Sequence, residues 1–265
     1  MKLRLSVIFI LLFIVCFYFS SCSSLGVSTG SSGVSLKEQE LKEQLLNNFK
    51  AGVAAYDRGD FDTALEKFKP IAEQGDARAQ YYLGVLYKFG EGLSQNDVEA
   101  EKWFQLASKK LPELAEGGDA VAQFFMGNMY HTGRGIVQND TEAVKWWTLA
   151  AEQGNAKAQH NLGYAYSSGY GVVQDDTEAA KWYRLAAEQG FTNAQTELAI
   201  MYYYGDGVPQ DNVLAYVWSS IASSLGHENA KENIGIIQNE MTSAEITKAQ
   251  ELSNECLNSN YQKCE

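Results

Sequence analysis

Beyond residue 36 the apolar positions recur three and four apart, the spacing that gathers them on one face of a helix. Ala79, Leu83, Gly84 and Tyr87 make one such face, and the same arrangement returns from Ala122, Ala158 and Ala194. Each face is followed by two glycines one residue apart: Gly90/Gly92, Gly133/Gly135, Gly169/Gly171 and Gly205/Gly207. Such pairs end a helix and turn the chain tightly. A second apolar face then follows Asn96, Asn139 and Asp175, each with a glutamate three residues on (Glu99, Glu142, Glu178), the spacing of a capping box. The pattern predicts paired helices, about twelve in all, and no strands.

The pairs are copies of one another. Gln123, Gln159 and Gln195 stand 36 residues apart, whereas Gln80 and Gln123 stand 43 apart. The additional seven residues fall around SKKLPEL, between Ala107 and Ala115. Seven residues make about two helical turns, so this insertion is expected to lengthen a helix without rotating its apolar face. Asp76, Asp119, Asn155 and Thr192 follow Gly-containing turns and are expected to cap the first helix of each pair. Gly84, Gly127 and Gly163 lie inside helices at a cost of about 1 kcal/mol each against Ala, offset where a neighbouring helix approaches closely. Trp103, Trp146, Trp182 and Trp218 share one register of the second helix and are expected to pack between the two helices. Thr242 with Glu245 starts a further helix running toward Cys256, and LKEQELKEQLLNNF begins the helix that opens the stack.

The motif A-x-A-Q-x-x-L-G-x-x-Y, then G-x-G-V-x-Q-D, then A-x-x-W-x-x-x-A-A-x-Q-G resembles the Sel-1-like repeat, a relative of the tetratricopeptide repeat. The likeness covers roughly residues 48–230. It implies an all-α fold: an α/α right-handed superhelical solenoid of helix pairs. On that basis residues 36–75 form an N-terminal cap helix and a tetratricopeptide-like half-repeat, 76–226 four repeats, and 227–265 capping helices with a cysteine pair. The fourth copy departs from the motif, with Ala199 for the glycine and Leu214 for the glutamate, as terminal copies commonly do.

The first 22 residues change the picture of where the chain works. Lys2 and Arg4 precede an apolar stretch from Leu5 to Phe19, the layout of a secretory signal. Its 15 residues are short of the roughly 20 that span a bilayer. Phe19-Ser20-Ser21-Cys22 resembles a bacterial lipobox, in which the cysteine is acylated after cleavage, although Phe19 departs from the usual Leu, Val or Ile. The expectation is a lipid-anchored exported protein facing the periplasm from the outer membrane. The alternatives are a plain cleaved signal, giving a secreted or cell-surface protein, and an uncleaved anchor. Residues 23–35 are Ser/Gly-rich and read as a flexible tether. Without Lys2 and Arg4 the chain carries 19 basic and 33 acidic residues, which leaves no electrostatic footprint for nucleic acid. Cys256 and Cys264 remain as a pair eight apart, which in an oxidising compartment suggests a disulfide.

Chemistry is sparse. His131, His160 and His227 are scattered, so neither a metal nor any other cofactor is expected. No Ser/His/Asp or Cys/His arrangement stands out, and no catalytic residue is assigned. The repeated G-x-G-x-x-Q lacks the preceding strand of a phosphate-binding loop and is assigned to turns. Glu73, Glu116, Glu152 and Glu188 recur with the period and belong to solvated faces. What varies against this constant scaffold is a stripe on the first helices: Tyr81, Phe124, His160 and Thr196 just after the repeated glutamine, then Lys88, His131, Ser167 and Tyr203. The resemblance implies a protein or peptide partner bound along the concave side, with this stripe as its contact. The expected role is a non-enzymatic adaptor in the cell envelope; the alternatives are a factor that meets host cells and, more remotely, an enzyme or enzyme inhibitor. Cysteine-rich relatives linked to β-lactam chemistry carry a disulfide in each repeat, which this chain lacks.

Overall fold

The computed structural model describes residues 36–264. The proposed signal, Cys22 and the Ser/Gly tether lie outside the described residues. The chain divides into one unit ending at Gln44 and another running from Leu45 to Glu265, and the packing described below belongs to the second. Thirteen helices are described, with no strand among the described residues. They are α1 (Leu36–Asp57), α2 (Phe61–Glu73), α3 (Ala77–Phe89), α4 (Asp97–Ala107), α5 (Leu111–Glu116), α6 (Ala120–Thr132) and α7 (Asp140–Glu152), then α8 (Ala156–Ser168), α9 (Asp176–Ala187), α10 (Thr192–Tyr204), α11 (Asn212–Ser224), α12 (Glu228–Gln238) and α13 (Ser243–Asn258). Four pairs carry the repeat: α3 with α4, α6 with α7, α8 with α9, and α10 with α11. The second helices α7 and α9 also pack on the first helix of the following pair, and after the first pair the inserted α5 makes that contact with α6, so the elements form a continuous α/α solenoid.

Within the first three pairs a glycine of the first helix faces a large ring of the second. A Cβ placed on Gly84 would stand 2.6 Å from Phe104, one on Gly127 2.3 Å from Trp147, and one on Gly163 2.8 Å from Tyr183. These distances are too short for any methyl group, so glycine is required by packing and not by backbone torsion. The rings are enclosed, Phe104 being 1% exposed and Trp147 and Tyr183 2%. This corrects the expectation for the indole register. Trp103, Trp146 and Trp182 are only partly buried, and the residue after each is the wedge between the helices. In the fourth pair both members change together: Ala199 replaces the glycine and Ser219 the ring, while Trp218 becomes fully buried.

The repeated glutamines are buried polar groups with a structural task. Gln80, Gln123, Gln159 and Gln195 donate through Nε2 to the carbonyls of Ala72, Ala115, Ala151 and Ala187, at 3.0, 3.0, 3.1 and 3.1 Å. Those carbonyls lie in the last turn of the preceding helix and already accept the N–H of Gly75, Gly118, Gly154 or Gly190, so the glutamine supplies a second donor to each. Two of the glutamines are satisfied at the other end as well, because Gln153 donates to Gln123 Oε1 and Gln189 to Gln159 Oε1, each at 2.7 Å. Thirty residues after Gln80 and Gln195 stand Lys110 and Leu225, and there the Oε1 atoms have no protein partner.

The seven-residue insertion does not lengthen α4. The helix stops at Ala107, and α5 starts anew with Pro112 in its first turn. A proline there has no N–H to donate, and its ring would collide with the carbonyl four residues earlier if the helix continued. Caps follow the expected residues with one correction. Asp76, Asp119 and Asn155 accept backbone N–H groups at the starts of α3, α6 and α8. At α10, however, the capping position is held by Phe191, which has no side-chain acceptor, and Thr192 is the first helical residue. Asn96, Asn139 and Asp175 accept from the N–H groups of Glu99, Glu142 and Glu178. The three glutamates bind Lys102, Lys145 and Lys181 on the helix surface, and the reciprocal box is described only for Thr242 with Glu245. The second glycine of each turn seats the loop on the preceding repeat: a Cβ on Gly207 would lie 2.1 Å from the Asp176 carbonyl oxygen.

Candidate interaction surface

The stripe residues are carried by the first helices α3, α6, α8 and α10, but they do not form one uniform surface. Tyr81 is 6% exposed and stacks on Phe125 with ring centroids 4.2 Å apart. Thr196 is 5% exposed and returns its hydroxyl to the carbonyl of Thr192. Both are packed into the fold and present little side-chain surface to a partner. Tyr81 is covered by Phe125 of the next first helix and Thr196 lies beside His227, whereas Phe124 and His160 at the same position of the two middle copies stay partly exposed. Ser167, half-buried, bonds to the Tyr164 carbonyl of its own helix at 3.1 Å.

Lys88 and His131 do come together. They line a groove of about 620 Å³ with Arg134, Asp97, Asp140, Tyr164 and Tyr170. Lys88 pairs with Asp97 at 3.1 Å and His131 Nδ1 with Asp140 Oδ1 at 2.7 Å, the two pairs occupying matching places in successive repeats. The Lys88 ammonium holds the Asp97 carboxyl below the usual carboxylate range. Arg134 lies over the rings of Phe89 and Phe104. The groove therefore joins the Lys88–Asp97 ion pair and the His131–Asp140 hydrogen bond to the Arg134 guanidinium over aromatic surface, an arrangement suited to a polar ligand.

His160 and Thr196 border a second, wider hollow of about 770 Å³ together with Glu197, His227 and Glu232. Burial lowers the pKa of His160, whose ring lies against Tyr183 and Phe191. Burial raises that of Glu197, an effect only partly offset by His227. Phe124 belongs to a third and more apolar groove of about 550 Å³, lined by Phe49, Val53, Tyr82, Val121 and Phe191 and rimmed by Lys157 paired with Asp57. Tyr203 donates to Glu240 at 2.7 Å and forms one wall of a smaller hollow beside Tyr204. The charged and apolar partners that complete these grooves, Arg134, Glu197, Tyr170 and Phe191, went unassigned in the sequence. Arg134, Tyr170 and Phe191 come from turns that a helix stripe does not include, and Glu197 lies on α10 itself, one residue beyond Thr196.

Cys256 and Cys264 stand with their Cα atoms 4.5 Å apart and their sulfurs joined, and the loop they close sets Tyr261 against Gly190. Among the described residues no group of three His, Cys, Asp or Glu side chains is placed to hold a metal ion. No helix there is long and apolar enough to cross a membrane.

Paired helices stacked through glycine–ring contacts and glutamine bridges define a helical-repeat solenoid, a class whose exposed grooves typically bind other proteins. Residues 77–110, 120–155, 156–191 and 192–227 each match the Sel1 repeat, and the chain belongs to that family. Repeats of this family generally mediate protein–protein interaction, and their fold is typically a non-catalytic scaffold. The fold is similar to a protective antigen present in uropathogenic Escherichia coli strains that displays an SLR fold, with a TM-score of 0.60 and 32% identity, covering 85% of this chain and 49% of that one. It is similar too to a Sel1 repeat protein from Oxalobacter formigenes, with a TM-score of 0.51 and 30% identity, covering 78% of this chain and 82% of the other. Over 54 residues the sequence is 39% identical to an exopolysaccharide production negative regulator of Rhizobium meliloti (strain 1021), 20% of either chain. The chain thus spans about half the length of the first structure and a fifth of the curated relative.

Proposed function

We propose that this protein is a non-enzymatic adaptor of the bacterial cell envelope, anchored by lipid at Cys22 and holding a protein partner along the grooves of its first helices. The observation that carries the reading is the contrast within each repeat. The glutamine is the same in all four copies, the glycine in three, and the wedge position is aromatic in three, whereas Lys88, His131, Phe124, His160 and Tyr203 differ in chemical character from copy to copy and border open grooves. Varied polar and aromatic groups on a rigid scaffold suit selective binding of a macromolecule. The lipobox-like Phe19-Ser20-Ser21-Cys22 supports the anchor, and the Ser/Gly run after it supports a tether.

The test is crosslinking in the native cell followed by identification of the captured proteins, comparing wild type with the pair Lys88→Ala and Phe124→Ala. A partner lost in the variant supports the reading, and an unchanged set of captured proteins refutes the groove assignment. Labelling with a radioactive fatty acid, expected in wild type and absent in Cys22→Ala, tests the anchor. The likeness to a protective antigen favours one alternative, a surface factor that meets host cells. Cleavage by protease added to intact cells would support that alternative, and protection would support the periplasm.

A further inference from the structure

The hollow of about 770 Å³ across α8, α10 and the start of α12 holds negative charge that the chain does not answer. Glu197 of α10 and Glu232 of α12 both line it. Among the described residues no lysine or arginine lines the hollow, and neither carboxylate forms an ion pair. The other grooves differ, since Lys88 pairs with Asp97 in one and Lys157 with Asp57 in another. Glu197 is half-buried, and the loss of hydration that raises its pKa is only partly offset by His227.

The two histidines of the hollow add acceptors, and the hydrogen bonds around them fix this. Trp147 Nε1 can only donate, so the Asn128 atom it meets at 3.0 Å is the carbonyl oxygen. Asn161 reaches that same oxygen at 2.8 Å and must do so with its amide nitrogen. Its own Oδ1 is then left to accept from His160 Nδ1 at 3.3 Å. Thr196 gives its hydroxyl hydrogen to the Thr192 carbonyl, so its oxygen accepts from His227 Nδ1 at 3.3 Å. Each imidazole, when neutral, therefore keeps Nε2 as an acceptor. The complementary occupant brings donors and positive charge. No three of these side chains are placed to share a metal ion, so the donors have to be spread over several ångströms. A guanidinium has that form: five N–H groups in a planar fork, and a flat face that lies on aromatic rings. Tyr164 supplies such a ring at the edge of the hollow, 43% exposed and braced by stacking on Tyr170 at 5.6 Å.

We propose that this hollow receives an arginine side chain of the protein partner, its guanidinium held by the Glu197 carboxylate against the Tyr164 ring, with Glu232 at the rim. The inference rests on the adaptor reading and gives the partner a chemistry, a basic segment. The excess of acid over base in the chain, 33 residues against 21, would draw such a segment in from a distance.

The purified full chain is titrated at pH 7 and low salt with acetyl-Gly-Arg-Gly-amide and with the same peptide carrying citrulline for arginine, by calorimetry and ligand-observed NMR. The arginine peptide should bind with a dissociation constant of about a millimolar. Citrulline keeps the shape but is neutral and has a carbonyl in place of a donor, so its peptide should bind about tenfold more weakly or less. Glu197→Gln, nearly the same size, should weaken the arginine peptide about tenfold. Tyr164→Leu should weaken it about two- to fivefold, and Glu232→Gln about two- to fivefold. Glu116→Gln removes an exposed acid on α5, away from the hollow, and should leave binding unchanged. If Glu197→Gln fails to fold, Glu232→Gln and the citrulline comparison decide. No binding of the arginine peptide, or equal binding of the citrulline peptide, would overturn the proposal. An equal loss in Glu116→Gln and Glu197→Gln would overturn it as well, by reducing the effect to overall charge. Tighter binding of a neutral trisaccharide, maltotriose, than of the arginine peptide would assign the hollow to a glycan instead. These titrations use the isolated chain, so failed crosslinking in cells leaves them untouched, and loss of the arginine site leaves the captured partners untouched.

Discussion

Replacing Gly127 by alanine should reverse its effect on stability according to what stands opposite. Alanine gains about 1 kcal/mol over glycine inside a helix, and in an open position that gain would be realised. At Gly127 the added methyl would sit 2.3 Å from Trp147 Cδ1 and 2.4 Å from Nε1. The indole must move or α6 and α7 must part, an overpacking that costs about 1–3 kcal/mol. Movement also threatens the 3.0 Å bond from Trp147 Nε1 to Asn128 Oδ1, and stranding a buried polar atom costs about 1–3 kcal/mol more. The expected net loss is about 2–3 kcal/mol. In a Trp147→Ser background, which copies the Ala199/Ser219 pair of the fourth repeat, the clash is gone, and Gly127→Ala should stabilise by up to about 1 kcal/mol. Urea unfolding followed by far-UV circular dichroism on the four members of this cycle measures both effects, with m-values compared to check that the cooperative unit is unchanged. An equal effect of Gly127→Ala in the two backgrounds, or a stabilised single variant, would refute the steric account.

Gly235 occupies the same register in α12 but has nothing within 4 Å of a built Cβ, so Gly235→Ala should raise stability by about 0.5–1 kcal/mol in the same assay. Gln189→Ala should strand Gln159 Oε1 and cost about 1–3 kcal/mol; Leu225→Gln, which offers a donor to Gln195 at the matching offset, should recover part of that amount in the fourth repeat. His160 has its folded pKa depressed below 6.5 by burial, so the stability it contributes is present above about pH 6.5 and is lost as pH falls through the lower folded value. Unfolding midpoints compared at neutral and mildly acid pH should show a steeper acid loss in wild type than in His160→Gln; parallel curves would remove His160 from the account.

The period of 36, the glycine turns and most helix caps could be read from the chain because each rests on a local requirement: a donor to satisfy, a left-handed residue, an apolar stripe. The wedge ring could not. Trp146 and Trp147 are adjacent and equally apolar, and only the approach of Gly127 selects the second. The insertion was misleading for a related reason, since counting turns predicted continuity while Pro112 imposed a break. Tyr81 and Thr196 looked like surface because one helix was considered at a time, and burial between helices is set by the next copy. The missing ring at Ser219 was present in the alignment of the repeats, but that Ala199 and Ser219 are nonetheless closed over, with Trp218 fully buried beside them, was not.

The glutamine bridges carry a consequence for how such a chain can change its length. Each reaches a carbonyl eight residues back, and the glutamines that support Gln123 and Gln159 stand thirty residues ahead, so these links are defined by an offset and none by an address. A duplication or deletion of one 36-residue copy in the interior would re-create the same links at the new junctions. The array can therefore gain or lose reach in whole copies through recombination alone, while its grooves diversify one copy at a time.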